Sequence, residues 1–428
     1  MQPPTPPPHT STAPSVTIHA LLTDIRVLLL LFVFLRVGLI MAYPPVGTFG
    51  GGGLTAGSDR AYHFTLAALS DGGDLPFRDW WSEFPPVWAW LSVLIYQALP
   101  NVNFPVWTAV ISALMLAFDC ANLLLVRSIG ARLYGRPTGV AVAWVYAMLA
   151  LPLIQLFWNF ETLVAFWLLL GVRLLLTNRD RAAGVAAAIG ALVKFTPALL
   201  IASALRFRPP WRAVQMIVLT AALFAGAYGV LLIDNPNPQV TLTSLTAQFR
   251  KASYGSVWAL IDGNLSAGDF AFPGDDPVLL HYDLAAADQL YGRPPVIPGA
   301  VRIALGLGVG LFCFLRTRRR DNRGLVAFTL LTLLVFFLQA QGWSPHWLVQ
   351  VLPLTLLCFP NRAGVLTCLA LTALSLLEAP VLYSRIATPS ALVIDFGLLS
   401  IYAFSIITRT AILIGLCVAL YRVLRMVR

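Results

Sequence analysis

Long uninterrupted runs of apolar residues, separated by short arginine clusters, dominate this sequence. Of the 428 residues, 58% are apolar and 11% are charged, whereas soluble proteins are about 45–50% apolar and about 25% charged. Because apolar residues run continuously instead of alternating with polar ones, an outer-membrane barrel is excluded, as are soluble, fibrous and disordered chains. At about 20 residues per crossing of a ~30 Å hydrocarbon core, the sequence predicts an all-α polytopic membrane bundle with about 11–13 transmembrane helices.

The apolar runs predict individual crossings. They fall near residues 25–43, 104–126, 138–155, 160–177, 183–194, 196–206, 213–233, 299–316, 324–341, 346–360, 363–381 and 391–421. Two of them, 183–194 and 196–206, are short for a full span and predict a tight helical hairpin whose tip, Lys194 to Pro197, lies toward the outer face. Segment 86–99 is interpreted as a juxtamembrane or re-entrant helix at the same face.

The N-terminal residues differ in composition from the rest of the chain. The first 18 are rich in proline, threonine and serine, a composition that cannot bury a core. Residues 1–24 are therefore predicted to form a disordered cytoplasmic tail, and residues 25–428 a single transmembrane domain. No small-residue cleavage site follows the run 25–43, which favours a retained signal anchor.

The charge distribution predicts the orientation of the chain. Basic residues cluster in short loops between apolar runs, most densely at Arg316, Arg318, Arg319, Arg320 and Arg323, and the positive-inside rule assigns such loops to the cytoplasm. The two long loops, 44–85 and 234–298, are mainly acidic and are predicted to face outward. We expect a multi-pass protein of the plasma (inner) membrane, with a cytoplasmic N-terminus, an outer-face active site and no nucleic-acid partner.

The first outer loop carries the densest set of reactive side chains. Asp59 and His63 are four residues apart, so on a helix they share one face, with Tyr62 beside them. A carboxylate just outside the bilayer, next to an aromatic ring and a histidine, can accept a proton from a hydroxyl. The alternative is that Asp59 only caps a short helix within a polar loop.

Several motifs of this loop together resemble a known family. Asp59-x-x-Tyr62, a glycine-containing turn, Leu75-Pro76-Phe77-Arg78-Asp79 and Glu83-Phe84-Pro85-Pro86 resemble the first outer loop of the GT-C superfamily of membrane glycosyltransferases. The similarity is closest to the polyprenyl-phosphate-mannose-dependent alpha-mannosyltransferases, although Phe77 and Phe84 stand where tyrosines are commoner. The resemblance implies a GT-C helical bundle with an outer cavity between loops 44–85 and 234–298, and it implies that Asp59 is the catalytic base.

Lys194 extends the resemblance to a second motif. Lys194-Phe-Thr-Pro197 is similar to the family's K-x-x-P turn, where the lysine is expected near the donor phosphate and would stabilise charge on the leaving group. Lys194 could instead extend its ammonium group to the membrane interface from a helix end.

Other polar residues near the outer face are further candidates for the site. For the donor phosphate they are Arg250, Lys251 and His346; for substrate they are Tyr62, His63, Arg78, Asp79, Glu83, Glu161 and Trp343. Each has a structural alternative: the paired cations can balance nearby acids, Glu161 can favour a helix N-terminus, and a lone interfacial histidine can support the fold.

These features predict an inverting transferase. It would move a hexose, most commonly mannose in the branch that it resembles, from a polyprenyl-phosphate-sugar donor to a lipid or glycan acceptor. Membrane lipids are its surroundings and no cofactor is required. The spacing shows no metal site, although the outer carboxylates leave recruitment of a divalent cation open.

Two alternatives to this enzyme remain. One is a transporter or flippase for lipid-linked sugars, in which polar groups would concentrate at the bilayer midplane. The other is a non-catalytic relative that acts as an assembly subunit.

Overall fold

The computed structural model describes residues 18–42, 58–155, 159–264, 279–288, 292–382 and 396–426. Within these ranges the structure is helical, and the prediction of an all-α polytopic membrane bundle is confirmed. The helices are α1 (Ile18–Thr23), α2 (Ile25–Ala42), α3 (Ser58–Ala68), α4 (Pro86–Ala98), α5 (Phe104–Tyr134), α6 (Arg136–Met148), α7 (Ala150–Gln155), α8 (Glu161–Leu176), α9 (Asp180–Val193), α10 (Leu200–Phe207), α11 (Pro210–Leu232), α12 (Pro238–Thr246), α13 (Val257–Asp262), α14 (Gly299–Arg316), α15 (Asn322–Gln339), α16 (Leu348–Cys358), α17 (Arg362–Leu376) and α18 (Phe396–Arg425).

Most bounds agree with the apolar runs to within a few residues. Among the described residues, six helices are long and apolar enough to cross a membrane: α2, α5, α11, α14, α15 and α18. Helix α1 lies inside the segment predicted as a tail, where Trp144 Nε1 donates to the Leu22 carbonyl at 2.8 Å. Residues 1–17 of that tail and 43–57 of the first outer loop lie outside the described residues.

One predicted crossing, 138–155, is divided into two helices. Helix α6 ends at Met148, and Leu149 is extended before α7 begins. Pro152 has no N–H to donate, and its ring would clash with the carbonyl of the residue four positions earlier, Met148. The break is therefore a local consequence of Pro152, which the apolar pattern alone did not indicate.

The predicted hairpin is present, with Lys194 at its tip. Helix α9 ends at Val193, Lys194 is extended, and a short 3₁₀ turn leads into α10. Gly190 makes the tight turn possible, because a Cβ there would lie 2.6 Å from the Pro197 side chain and 2.8 Å from that of Trp167. Glycine at this position lets the chain return close to its own helix.

Helix α4 corresponds to the segment predicted as juxtamembrane or re-entrant. It has 13 residues, about 20 Å of helix, which is shorter than the ~30 Å hydrocarbon core. It packs against α3, α5 and α9, and Trp107 Nε1 donates to the Ser92 carbonyl at 3.2 Å. Helix α4 thus supports loop 44–85, the loop that the sequence analysis predicts to face outward, through its contacts with α3.

A buried ion pair ties the N-terminal span to the bundle. Arg36 Nε of α2 lies 2.6 Å from Asp119 Oδ2 of α5, and Tyr146 Oη of α6 donates to Asp119 Oδ1 at 2.6 Å. The Arg36 and Asp119 side chains are both fully buried. The ion pair and the Tyr146 hydrogen bond therefore join α2, α5 and α6. The apolar pattern of the sequence does not indicate that these three helices are neighbours.

We expect Asp119→Ala to destabilise the protein, because it leaves Arg36 buried without its partner, a change that costs about 3–5 kcal/mol. The double variant Arg36→Leu/Asp119→Leu removes both charges and should recover most of the loss. Thermal unfolding in detergent, followed by size-exclusion chromatography, compares the three proteins. Equal stability of Asp119→Ala and the native protein would contradict this role for the pair.

Candidate functional site

A buried polar cluster surrounds the tip of the α9–α10 hairpin. Lys194 Nζ forms an ion pair with Glu161 Oε1 at the start of α8. Gln350 Nε2 of α16 donates to Glu161 Oε2 at 2.8 Å, and Thr196 Oγ1 donates to Gln350 Oε1 at 2.8 Å. Glu161 is only 1% exposed and Gln350 is fully buried. The two oxygens of Glu161 are thus bound from two sides, one by the hairpin tip and one by α16.

His346 and Trp347 complete this cluster from the turn before α16. His346 Nε2 lies 3.8 Å from Glu161 Oε1, and His346 Nδ1 is hydrogen bonded to Ser344 Oγ at 2.8 Å. The ammonium of Lys194 lies 5.0 Å from the centre of the Trp347 ring, within cation–π range. A lysine has three N–H donors, so Lys194 can bind a second anion while it keeps its contact with Glu161.

The structure therefore brings together three residues that the sequence analysis proposed separately, Lys194, Glu161 and His346. It adds Thr196 and Gln350, which that analysis missed. The available signal for Gln350 was its position as a polar residue in the otherwise apolar stretch Leu348–Cys358, since polar side chains within membrane segments are rare and usually have a partner.

Helix α3 presents Asp59 on the exposed side and buries the next residue. Arg60 Nη1 donates to the Thr108 carbonyl and to Thr108 Oγ1, each at 2.9 Å, and to Ser112 Oγ. Burial lowers the pKa of the Arg60 guanidinium to about 9. These bonds attach the first turn of α3 to α5, so the exposed carboxylate of Asp59 projects from a fixed helix.

His63, one turn further along α3, lies in an aromatic layer. Its ring centre is 5.6 Å from that of Phe84, 5.4 Å from Trp88 and 6.0 Å from Phe160. Burial lowers the pKa of His63 to about 3, and the positive charges of Arg60 and Lys251 act in the same direction. Phe160 precedes Glu161 in the chain, so this layer connects α3 to the Lys194 cluster.

Tyr62 contacts the second outer loop. Its hydroxyl lies 2.7 Å from His281 Nε2, and His281 Nδ1 lies 2.6 Å from the Trp81 carbonyl. A carbonyl only accepts, so Nδ1 carries the proton and Nε2 accepts from Tyr62. Burial lowers the pKa of His281 to about 4, which keeps the ring in this neutral form.

Further bonds join the two outer loops. Trp81 Nε1 donates to the Asp283 carbonyl at 3.0 Å and to the Leu280 carbonyl at 3.2 Å. Tyr282 Oη donates to Asp74 Oδ2 at 2.7 Å. In the described parts of loops 44–85 and 234–298, these bonds join the two loops into one connected surface. The outer cavity that the sequence analysis expected between the loops stays a prediction.

Phe77 occupies an unusual backbone conformation in the first loop. Its φ is +70°, in the left-handed region, which is unfavourable for a bulky residue. Its carbonyl accepts from Thr241 Oγ1 at 2.7 Å and from Asn235 Nδ2 at 3.0 Å, and its ring is buried against Tyr228. The contacts with the second loop support this conformation, and the apolar ring suits the buried position.

The remaining predicted cations each have an acidic partner. Lys251 pairs with Glu83, and both side chains are only 9% exposed. Gln341 Nε2 also donates to the Lys251 carbonyl at 2.7 Å. Arg250 pairs with the more exposed Asp288. The two adjacent cations therefore point to different acids, one inside the loop assembly and one at its surface.

Arg78 and Asp79 form a local contact with each other. Arg78 Nη2 lies 2.8 Å from Asp79 Oδ2, which also accepts from the Leu75 backbone N–H at 2.8 Å. This arrangement closes the turn before Trp80, and a contact of either residue with substrate stays a prediction.

Trp343 lies in a second buried charged layer. The guanidinium of Arg409 is 4.5 Å from the centre of its ring, and Arg409 also pairs with Glu378. The backbone N–H of Trp343 donates to the Tyr254 carbonyl at 2.9 Å. Gly255 follows with φ +55°, and a Cβ there would lie 2.5 Å from the Trp343 carbonyl oxygen. The contacts in this layer explain how Trp343 is held and leave its predicted role in binding untested.

Among the residues that the structure describes, no group of three or more His, Cys, Asp or Glu side chains could hold a metal ion.

The fold and these contacts define a polytopic membrane protein with a buried charged cluster beside two joined polar loops. The model of glycosyltransferase family 87 matches residues 83–340, more than half of the chain, and the chain belongs to this family. The match includes Glu83, Glu161 and Lys194, whereas Asp59 and His346 lie outside it. Membership confirms the expected membrane glycosyltransferase of the GT-C superfamily.

Two solved structures of the Archaeoglobus fulgidus oligosaccharyltransferase also resemble the chain. The apo form is 13% identical with a TM-score of 0.43, over 92% of this chain and 55% of that one. The form tethered to an acceptor peptide containing the NVT sequon is 14% identical with a TM-score of 0.40, over 92% and 54%. This chain thus spans about half the length of that protein. No curated protein matches it.

We expect stability to fall as the pH decreases below about 6.5. The unfolded histidines take up protons there, whereas the folded state holds the pKa of His281 at about 4 and that of His63 at about 3. The contribution of each neutral histidine to the free energy of unfolding is thus complete above pH 6.5. It decreases by about 1.4 kcal/mol per pH unit as the pH falls toward 4. His63→Phe should reduce the decrease in thermal midpoint between pH 6 and 5. An unchanged pH dependence would contradict this assignment.

Proposed function

We propose that this glycosyltransferase transfers a hexose from a polyprenyl-phosphate-sugar donor to a hydroxyl of a lipid or glycan acceptor at the outer face of the plasma membrane. Mannose is the first candidate sugar, because the loop motifs resemble the mannose-dependent branch. The observation that carries the proposal is the buried cluster of Lys194, Glu161, His346 and Gln350, which adjoins the loop with Asp59. The family favours an enzyme over a transporter or flippase.

The proposed reaction is a single displacement with inversion. The acceptor oxygen attacks the anomeric carbon of the donor, and the bond from that carbon to the phosphate oxygen breaks. The polyprenyl phosphate leaves with the bonding electron pair, while Asp59 takes the proton of the acceptor hydroxyl. No nucleotide or redox cofactor is needed, because the lipid phosphate is itself the leaving group.

Lys194 suits the leaving phosphate because its charge is buried and already oriented. In an apolar environment an ammonium group interacts more strongly with a developing anion than it does in water. Glu161 balances the charge of Lys194 when the donor is absent, and the remaining N–H groups of Lys194 can bind the phosphate. The cluster can therefore be stable without a ligand, and Lys194 can still bind a phosphate when the donor is present.

Asp59 suits the role of base because it is exposed on a helix that Arg60 attaches to the bundle. A carboxylate in this position can accept the acceptor's proton as the new bond forms. Glu161, by contrast, is buried and bound to Lys194 and Gln350, so it is better suited to positioning Lys194.

Replacing Asp59 with asparagine tests the base. We expect Asp59→Asn to reduce transfer at least about 100-fold, the lower range for loss of general-base catalysis, without loss of donor binding. Purified protein in lipid would be assayed with polyprenyl-phosphate mannose and polyprenyl-phosphate glucose and a panel of lipid and glycan acceptors.

Asp74→Asn is the matched control, because Asp74 lies in the same loop, bears the same charge and bonds to Tyr282. It should retain transfer. If Asp59→Asn transfers sugar at the native rate, Asp59 is not the base. If the native protein transfers neither sugar, the proposed donor is wrong.

A double variant separates structure from donor binding at Lys194. Lys194→Gln should destabilise the protein because Glu161 stays buried without its cation, at a cost of about 3–5 kcal/mol. Lys194→Gln/Glu161→Gln removes both charges and should restore most of the thermal stability, yet it should bind polyprenyl phosphate at least about tenfold more weakly, as expected for a lost charged hydrogen bond. Native donor affinity in a stable double variant would show that Lys194 has only a structural role.

A further inference from the structure

A cavity of about 280 Å³ lies among the arginines that connect α14 to α15. Its polar lining comes from Tyr134, Arg319, Arg323 and Asn361, and its apolar lining includes Ala327 and Val423. The helices that meet here are α5, α15, α16, α17 and α18. None of these polar residues has a part in the glycosyl transfer proposed above.

The cavity lies at the opposite end of the bundle from the Lys194 cluster and the outer loops. Helix α15 begins at Asn322, beside the cavity, and ends at Gln339, just before the turn in which Gln341 contacts Lys251. Its 18 residues separate the two ends by about 27 Å. This arginine-rich end is the one that the positive-inside rule predicts to be cytoplasmic.

Arg319 and Arg323 are both fixed by contacts within the protein, and each has N–H groups outside those contacts. Arg323 Nε and Nη2 donate to the Leu133 carbonyl at 3.3 and 3.2 Å, and its guanidinium lies 4.2 Å from the centre of the Tyr134 ring. Arg319 Nε and Nη2 bind the two oxygens of Asp321 at 2.7 and 2.8 Å. The hydrogen bonds to Leu133 and Asp321 use Nε and Nη2, and the Nη1 groups of Arg319 and Arg323 take no part in them. Two oriented guanidinium groups therefore line the cavity.

We propose that this cavity binds the phosphate headgroup of an anionic phospholipid. Arginine recognises phosphate through paired N–H donors, and basic pockets between helices at the cytoplasmic side suit such headgroups. The apolar part of the lining, the exposed Val418 of the neighbouring α18 and the exposed Met426 just after that helix place the cavity beside the lipid phase. A lipid can therefore keep its acyl chains along the helix while its phosphate contacts Arg319 and Arg323.

Native mass spectrometry of the whole purified chain tests this site. The protein would be titrated with phosphatidylglycerol, with phosphatidylcholine and, separately, with inorganic phosphate. We expect one phosphatidylglycerol to bind at least about tenfold more tightly than phosphatidylcholine, and Arg319→Gln/Arg323→Gln to abolish that difference, as loss of charged hydrogen bonds predicts.

Two further variants control for a general loss of positive charge and for unfolding. Arg318→Gln removes an exposed positive charge from the same loop, outside the cavity, and should retain selective binding. Arg319→Gln alone keeps the contact of Arg323 with Leu133 and should weaken binding without unfolding, which the thermal midpoint checks.

Three results would overturn the proposal. They are equal binding of phosphatidylcholine, an equal loss of binding in Arg318→Gln, and displacement of the lipid by millimolar inorganic phosphate, which would assign the cavity to a soluble anion. The readout needs no transferase activity, so failure here is distinguishable from failure of the proposed reaction.

Discussion

A charge removed from water must find an opposite charge, and this requirement organises the bundle. Taking an unpaired ion into an apolar interior costs several kcal/mol or more, so each buried charge limits which helices can lie side by side. Among the described residues, the pairs with both side chains at most 11% exposed are Arg36–Asp119, Lys194–Glu161, Glu83–Lys251, Arg409–Glu378 and Arg208–Asp180. Each joins segments that are distant in the sequence. Apolar contacts stabilise helix packing but do not specify which helices are adjacent. The ion pairs specify this, because each requires two particular side chains to meet.

The same requirement gives two carboxylates of the candidate site different chemistry. Glu161 is enclosed by Lys194, Gln350 and His346, and its carboxylate is already bound by the ammonium of Lys194 and the amide of Gln350. Asp59 is exposed on the first turn of α3, next to buried Arg60. The environment of each group, and not its residue type, thus separates a positioning role from the proposed role of base.

Aromatic residues connect the two outer loops to the bundle. The ring of His63 packs against the edges of the stacked rings of Trp88 and Phe160, while Tyr62 and Trp81 contact His281 from two sides. Such rings supply large contact areas with defined geometry. Loop segments that would cost much entropy to order are therefore ordered against a rigid support, which is what a site on loops requires.

Local sequence patterns are enough to show that this chain is an all-α membrane protein, to locate most of its helices and to indicate which loops carry the candidate chemistry. These properties depend on local features: runs of apolar residues, prolines and short motifs. Even the break at Leu149 has a local cause in Pro152. Only the tertiary structure decided which polar residues meet. Gln350 reaches Glu161 across 189 positions of sequence, and His281 reaches Tyr62 across 219. Such partners could not be read from spacing, because helix packing, and not local periodicity, decides which buried charge or ring lies beside which.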